Sequence, residues 1–175
     1  ETIGLNWQQI QVRSPRLNLL FNYPYLFRSP VGLDFNFDIL RKDSSFVNVN
    51  LQLGAQYVLN KNESGKLFIQ RFQTIVSEGG IDSFYVVTYR RLPDLGDVSS
   101  FNVGIDYELN STDYRLNPRK GNELRVIGSV GTKTLKKNNS VLEYKDPADP
   151  LFDFGTLYDT VKLKTYQFRL RLTAA

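Results

Sequence analysis

Between Val47 and Leu59 the residues sort into two sets by position. Val47, Val49, Leu51, Leu53, Ala55, Tyr57 and Leu59 face one way, and Asn48, Asn50, Gln52, Gly54 and Gln56 the other. A helix advances about 100° per residue and would smear both sets around its circumference, whereas an extended strand sends them to opposite faces. The pattern repeats at Val31 to Ile39, where Val31, Leu33, Phe35, Phe37 and Ile39 oppose Gly32, Asp34, Asn36 and Asp38. It returns at Phe101 to Leu109, with Val103, Ile105 and Tyr107 against Asn102, Gly104, Asp106 and Glu108. Near the end, Tyr166, Phe168, Leu170 and Leu172 alternate with Gln167, Arg169 and Arg171. A chain so patterned is committed to strands.

Five further stretches suit strands: Ile3 to Val12, Leu17 to Tyr25, Lys66 to Val76, Ser83 to Arg91 and Leu124 to Thr134. They are rich in aromatic and β-branched residues, and the last carries Gly128 and Gly131, as strands that bend often do. Turn chemistry separates the strands at Lys42 to Ser45, Asn60 to Gly65, Glu78 to Gly80, Pro93 to Gly96 and Asn117 to Gly121. A polar connection that contains prolines runs from about Lys136 to Asp159. The expectation is an all-β antiparallel meander of about eight to nine strands without helices, a single domain over residues 1–175.

Alternation alone does not say which face is buried. A soluble ligand-carrying barrel turns its apolar face inward, with Leu51, Phe35 and Ile105 lining the cavity; a transmembrane barrel turns that face to lipid. Three features favour the membrane. The alternating runs reach the ~9–11 residues a tilted spanning strand needs, against ~5–6 for a typical soluble strand. The polar set is built from Asn, Gln, Asp and Arg in mid-strand, which suits a confined, hydrated lumen. Tyr23, Tyr25, Phe27, Tyr57, Tyr85, Tyr89, Tyr107 and Tyr166 gather near strand ends, where amphipathic rings can sit at headgroup level. Val47, Val49, Leu51, Leu53, Phe35, Phe37, Val103 and Ile105 are therefore expected to face lipid. Asn48, Asn50, Gln52, Asp34, Asn36, Asp106, Arg169 and Arg171 are expected to face the lumen. The lumen charges Asp34, Asp38, Asp106, Glu108, Arg169 and Arg171 either tune ion passage or pair across neighbouring strands.

Composition narrows the chemistry. The sequence has no histidine, cysteine or methionine. Triads with a histidine base, thiol nucleophiles, disulfides and the usual zinc sites are thereby removed, and neither a Gly-x-Ser-x-Gly elbow nor a phosphate-cradling Gly-rich loop occurs. No catalytic residue, cofactor or metal is expected, and the chain does not read as an enzyme. Asp146, Asp149 and Asp153 could hold Ca²⁺ in an outer loop, but their spacing fits no EF-hand and Pro147 and Pro150 stiffen the run, so they read as a solvated acidic loop. Three sequon-like triplets, at Asn62, Asn110 and Asn138, match by composition only and carry no weight here. The net charge of +4 is mild and its basic residues scattered, so no nucleic-acid partner is expected.

One connection is more specific. After Leu109 come Asn110-Ser111-Thr112-Asp113-Tyr114-Arg115-Leu116-Asn117-Pro118-Arg119-Lys120-Gly121, and a new strand begins at Asn122. Proline fixes φ and removes a ladder donor, and Gly121 admits a positive φ that leads back into a strand. The turn resembles the Asp-(x)n-Pro-x-x-Gly turn of BamA/TamA-like outer-membrane assembly proteins, here matched by Asp113, Pro118 and Gly121. Asn22-Tyr23-Pro24-Tyr25-Leu26-Phe27, followed by Ser29-Pro30-Val31-Gly32-Leu33, is similar to a second strand connection of that family, with Tyr23 in place of its usual aspartate. The resemblance implies the central portion of a roughly sixteen-stranded barrel in the bacterial outer membrane, without the family's POTRA domains. It implies assistance to the insertion or translocation of outer-membrane proteins. The implied partners are the lipid bilayer, client barrel proteins and accessory lipoproteins, and exposed strand edges would template client strands. A small eight-stranded barrel serving as a porin-like channel, adhesin or structural anchor is the alternative. The opening at Glu1 and the closing Leu172-Thr173-Ala174-Ala175 read as a processed product or a slice of a longer protein.

Overall fold

A computed structural model describes residues 1–26, 29–113, 119–147 and 149–174. Phe27 and Pro118, named above, lie outside the described residues. Eight strands form: β1 (Thr2–Gln11), β2 (Ser14–Tyr23), β3 (Val31–Lys42), β4 (Phe46–Asn60), β5 (Glu63–Val76), β6 (Asp97–Asn110), β7 (Glu123–Lys136) and β8 (Lys164–Ala174). Each is antiparallel to the next, in the spatial order β1-β2-β3-β4-β5-β6-β7-β8. The sheet does not close: β1 and β8 do not pair with each other, and both are edges.

The connections differ at the two ends. One end holds the turns at 12–13 and 43–45 and the long loops 77–96 and 137–163; the other holds 24–30, 61–62 and 111–122. Two positions in the short turns take a left-handed conformation, Arg13 (φ 64°) and Asp43 (φ 47°). At the other end of the sheet, the expected turn at Asn60 to Gly65 is tighter than its sequence suggests. Its ladder runs on to Asn60 opposite Glu63, with a bulge after Val58.

The ninth expected strand is a correction. Ser83 to Arg91 is not extended; Ser83–Tyr89 is a helix, α1, and a second short helix, α2, spans Asn139–Glu143. Two 3₁₀ segments, Glu78–Gly80 and Phe154–Thr160, lie in the same loops. The physical reason lies in burial rather than propensity. The Asp82 side chain accepts a hydrogen bond from the Tyr85 N–H and caps the first turn. The helical spacing then stacks Tyr85 on Tyr89, with ring centroids 5.1 Å apart, and drives Val86 into full burial. Tertiary packing overrides the strand preference of Tyr, Val and Thr.

The buried apolar cluster is made by those loops together with Val76 at the end of β5. Val86, Val141 and Phe154 are almost wholly inaccessible, with Val76, Ile81 and Tyr158 beside them. Together they form a cap at one end of the sheet. Among the described residues no second layer covers either face of the sheet.

Candidate functional site

The register assigns every strand residue to one of two faces. Phe35 stands opposite Leu53, Phe37 opposite Leu51, Ile39 opposite Val49 and Arg41 opposite Val47. Across β5, Ile69 joins Leu53 to Val103 and Leu67 joins Ala55 to Ile105. All eight residues expected to meet lipid thus share one face. On the other lie Asp34, Asn36, Asn48, Asn50, Gln52 and Asp106, and the β8 residues Arg169 and Arg171 fall in the same phase.

Exposure is inverted relative to a water-soluble sheet. The contrast is sharpest from mid-β4 to β6: Leu51 is 38% exposed, Val103 46% and Ile105 56%, while Asn102 and Ser100 on the polar face are 2% and 5% exposed. Phe35, Phe37, Val47 and Val49 are half-buried, as are Asp34, Asn36, Asn48 and Asn50. The whole chain presents 12546 Å² to solvent. A compact soluble monomer of its 20.1 kDa exposes only about 8,700 Å².

The polar face is held by its own side chains. Arg16 donates to Asp38 at 2.8 Å, Asn18 to Asn36 at 3.1 Å, Gln70 to Asn50 at 2.8 Å, and Thr74 to Asn48 at 2.8 Å. Arg125 grips Asp106 with two donors, at 3.0 and 2.6 Å. Two bonds skip a strand. Lys66 on β5 reaches Asp34 on β3 over Gly54 of β4, and Gln167 on β8 reaches Asn102 on β6 over Gly131 of β7. In each case the glycine leaves the room: a Cβ on Gly54 would lie 2.5 Å from the Lys66 Cε, and one on Gly131 2.3 Å from the Asn102 Oδ1. The other Asp34 oxygen, Oδ1, is buried without a partner among the described residues. Of the lumen charges proposed from sequence, Asp34, Asp38 and Asp106 are in ion pairs; Arg169 and Arg171 have no ion pair among the described residues.

The turn that carries the family resemblance is closed by its aspartate. The Asp113 Oδ1 accepts from the N–H groups of Arg119 (2.9 Å) and Lys120 (3.1 Å), and the Asp113 N–H donates to the Lys120 carbonyl. Gly121 follows at φ +123°, where a Cβ would stand 2.5 Å from the Ser111 carbonyl oxygen. Asp113 and Gly121 are therefore brought together.

Sequence reasoning passed over the loop cap. Asn138, treated above as an empty sequon, is a buried hub: its amide donates to the Val76 carbonyl and to Asp97, its Oδ1 caps α2, and its N–H donates to the Tyr158 hydroxyl. Arg90, in a left-handed conformation after α1, lies 4.3 Å over the Phe152 ring and pairs with Asp146 and Asp149. These contacts, Asp146 first, favour its charged form. Asp153 accepts from the Gly155 N–H. The acidic loop's carboxylates are thus engaged by an arginine and a helix cap, and among the described residues no cluster of His, Cys, Asp or Glu suits a metal. The signals were present as Asp82, Asn138 and Asp153, each one residue ahead of a helical turn.

Compared with protein-family models, curated proteins and solved structures, the chain finds no match.

Proposed function

We propose that this chain forms the wall of a β-barrel in the bacterial outer membrane, its apolar face in lipid and its hydrogen-bonded face toward the lumen. The observation that carries this reading is the inverted exposure: a face of Leu, Val, Ile and Phe left open, interrupted in mid-sheet by Arg71 between Leu51 and Phe101, over a more occluded face of Asn, Gln and ion pairs. In water such a face is unfavourable by about 25 cal/mol per Å²; in hydrocarbon it is at home. The dimensions agree. Phe101 to Leu109 covers about 26 Å at ~3.3 Å per residue, close to the ~25 Å apolar band of such barrels before tilt is taken into account. Tyr57 and Tyr107 stand in one register row, both aligned with Gly65, toward the end that holds connections 24–30, 61–62 and 111–122. That placement suits an interfacial girdle.

Within that class, assistance to the insertion of other outer-membrane proteins is the finer reading. It rests on the Asp113–Gly121 turn and its likeness to BamA/TamA-like barrels. A self-contained eight-stranded barrel is less favoured, because β1 and β8 remain apart. A soluble carrier is disfavoured because its ligand-binding face would be the apolar one, which here is open.

Two experiments test the reading. Leu51→Arg places a further charge on the apolar face, directly opposite Arg71, and is expected to cost ~2–4 kcal/mol in lipid and to block membrane assembly. Gln52→Arg, on the other face, is expected to assemble like the parent. Equal assembly of both variants would remove the lipid-facing assignment. For the finer reading, depletion of the full-length protein should lower the amounts of other barrel proteins in the outer membrane, and unchanged amounts would refute it.

A further inference from the structure

The β8 edge has an unusual combination of features. β8 (Lys164–Ala174) keeps an unbroken register with β7, with no bulge or proline. Its other side presents alternate backbone donors and acceptors to no strand among the described residues. On the apolar face Tyr166, Phe168, Leu170 and Leu172 are exposed. On the polar face stand Arg169 and Arg171, exposed and without an ion pair among the described residues. Elsewhere on that face both arginines, Arg16 and Arg125, meet a carboxylate from an adjacent strand, and Lys66 meets one from the next strand but one, while Lys42 and Lys133 have no ion pair among the described residues. Arg169 and Arg171 lie where the carboxylate would have to come from a strand beyond the edge.

β1 does not supply it. In its polar phase β1 offers Thr2, Gly4, Asn6 and Gln8, none of them charged. A second copy of β8 would set arginine against arginine, which is repulsive for directly opposed charges.

We infer that the open edge of β8 is a docking edge for an amphipathic strand, lying outside Thr2–Ala174, that alternates apolar residues with Asp or Glu facing Arg169 and Arg171. The inference rests on the membrane-wall reading, because only in hydrocarbon must every backbone group of an edge be satisfied by protein. Backbone pairing fixes such a strand along β8, and the two charge contacts select its register and identity, since slipping by one residue moves the acids to the lipid face.

The test uses the full-length protein in its own membranes, with photoreactive benzoylphenylalanine at Phe168. Illumination and mass spectrometry then identify the neighbouring peptide. The expected product joins position 168 to a peptide alternating Asp or Glu with apolar residues. Arg169→Glu together with Arg171→Glu should lower its yield at least tenfold, and the double change to Gln should lower it less. Acid-to-Lys changes in the captured strand should restore the yield of the Glu variant. Capture of Thr2–Gln11, capture of a strand lacking carboxylates, absence of any protein product, or a yield indifferent to charge reversal would each overturn the inference. The underlying reading fails separately, if the unaltered protein is recovered from the soluble fraction rather than from outer membranes.

Discussion

Asn138 spends every polar group of its side chain on holding the loop cap together. Its amide spans from the end of β5 to the start of β6, through Val76 and Asp97, while its carbonyl starts α2. Asn138→Ala leaves those partners buried and unsatisfied, so it should cost about 1–3 kcal/mol, read as a lower unfolding midpoint of the loop cap. Tyr158, bonded to the same residue, is held above the ordinary phenol pKa of about 10. Burial is the main cause and Asp97 adds to it, while the hydrogen bond from Asn138 opposes it. Its neutral form is therefore favoured in the folded loops. That contribution is complete below pH ~10 and is lost as pH rises further, because the unfolded chain ionises first. Near-UV circular dichroism should show alkaline loosening of the cap, and Tyr158→Phe should shrink that transition; an unchanged transition would exclude Tyr158 as its source. Little of this is readable residue by residue. A cap or hub asparagine has the composition of a turn, and only its three-dimensional neighbours distinguish the two.

Strands are the elements whose chemistry is plainest in the sequence. The Val47 to Leu59 alternation dictates both its extended form and its two faces, and β4 adds only a residue at each end. The unforeseen device is the pair of strand-skipping contacts. Gly54 and Gly131 work as gaps in the middle strand, through which Lys66–Asp34 and Gln167–Asn102 meet. Gly54→Ala pushes against mobile side-chain ends and should cost roughly 1–3 kcal/mol; with Lys66→Ala already in place it should cost much less. Gly131→Ala also drives a methyl to 2.2 Å from the Phe101 carbonyl, a backbone atom, and should destabilise more than Gly54→Ala. Urea unfolding of the four variants in detergent micelles, read as a mutant cycle, checks both statements. Additive effects of Gly54→Ala and Lys66→Ala would show that the gap serves something else. Ser83–Tyr89 goes the other way: its residues favour strands one by one, and the helix forms because Val86 has a cluster to bury into.

At the scale of the whole molecule, the excess accessible surface is the dominant quantity. A single curtain of strands with one apolar face should aggregate in buffer and become monodisperse in detergent above its micelle concentration. Analytical ultracentrifugation of the protein with and without detergent measures this, and a monodisperse monomer in plain buffer would contradict the membrane wall. The same scale explains the place of the apolar cluster. With most of the sheet's apolar residues on its open face, the buried apolar cluster is that of loops 77–96 and 137–163 with Val76 at the end of β5.

The sequence by itself determined the all-β class, the phase of each regular strand and the split into apolar and polar faces, because a period of two is a local geometric property of an extended backbone. Tertiary structure alone decided which face is occluded, that the sheet stays open, that Arg169 and Arg171 sit at an edge without carboxylates, and that Ser83–Tyr89 is helical. Each of those depends on which distant residues become neighbours, and a local alternation carries no record of its neighbours.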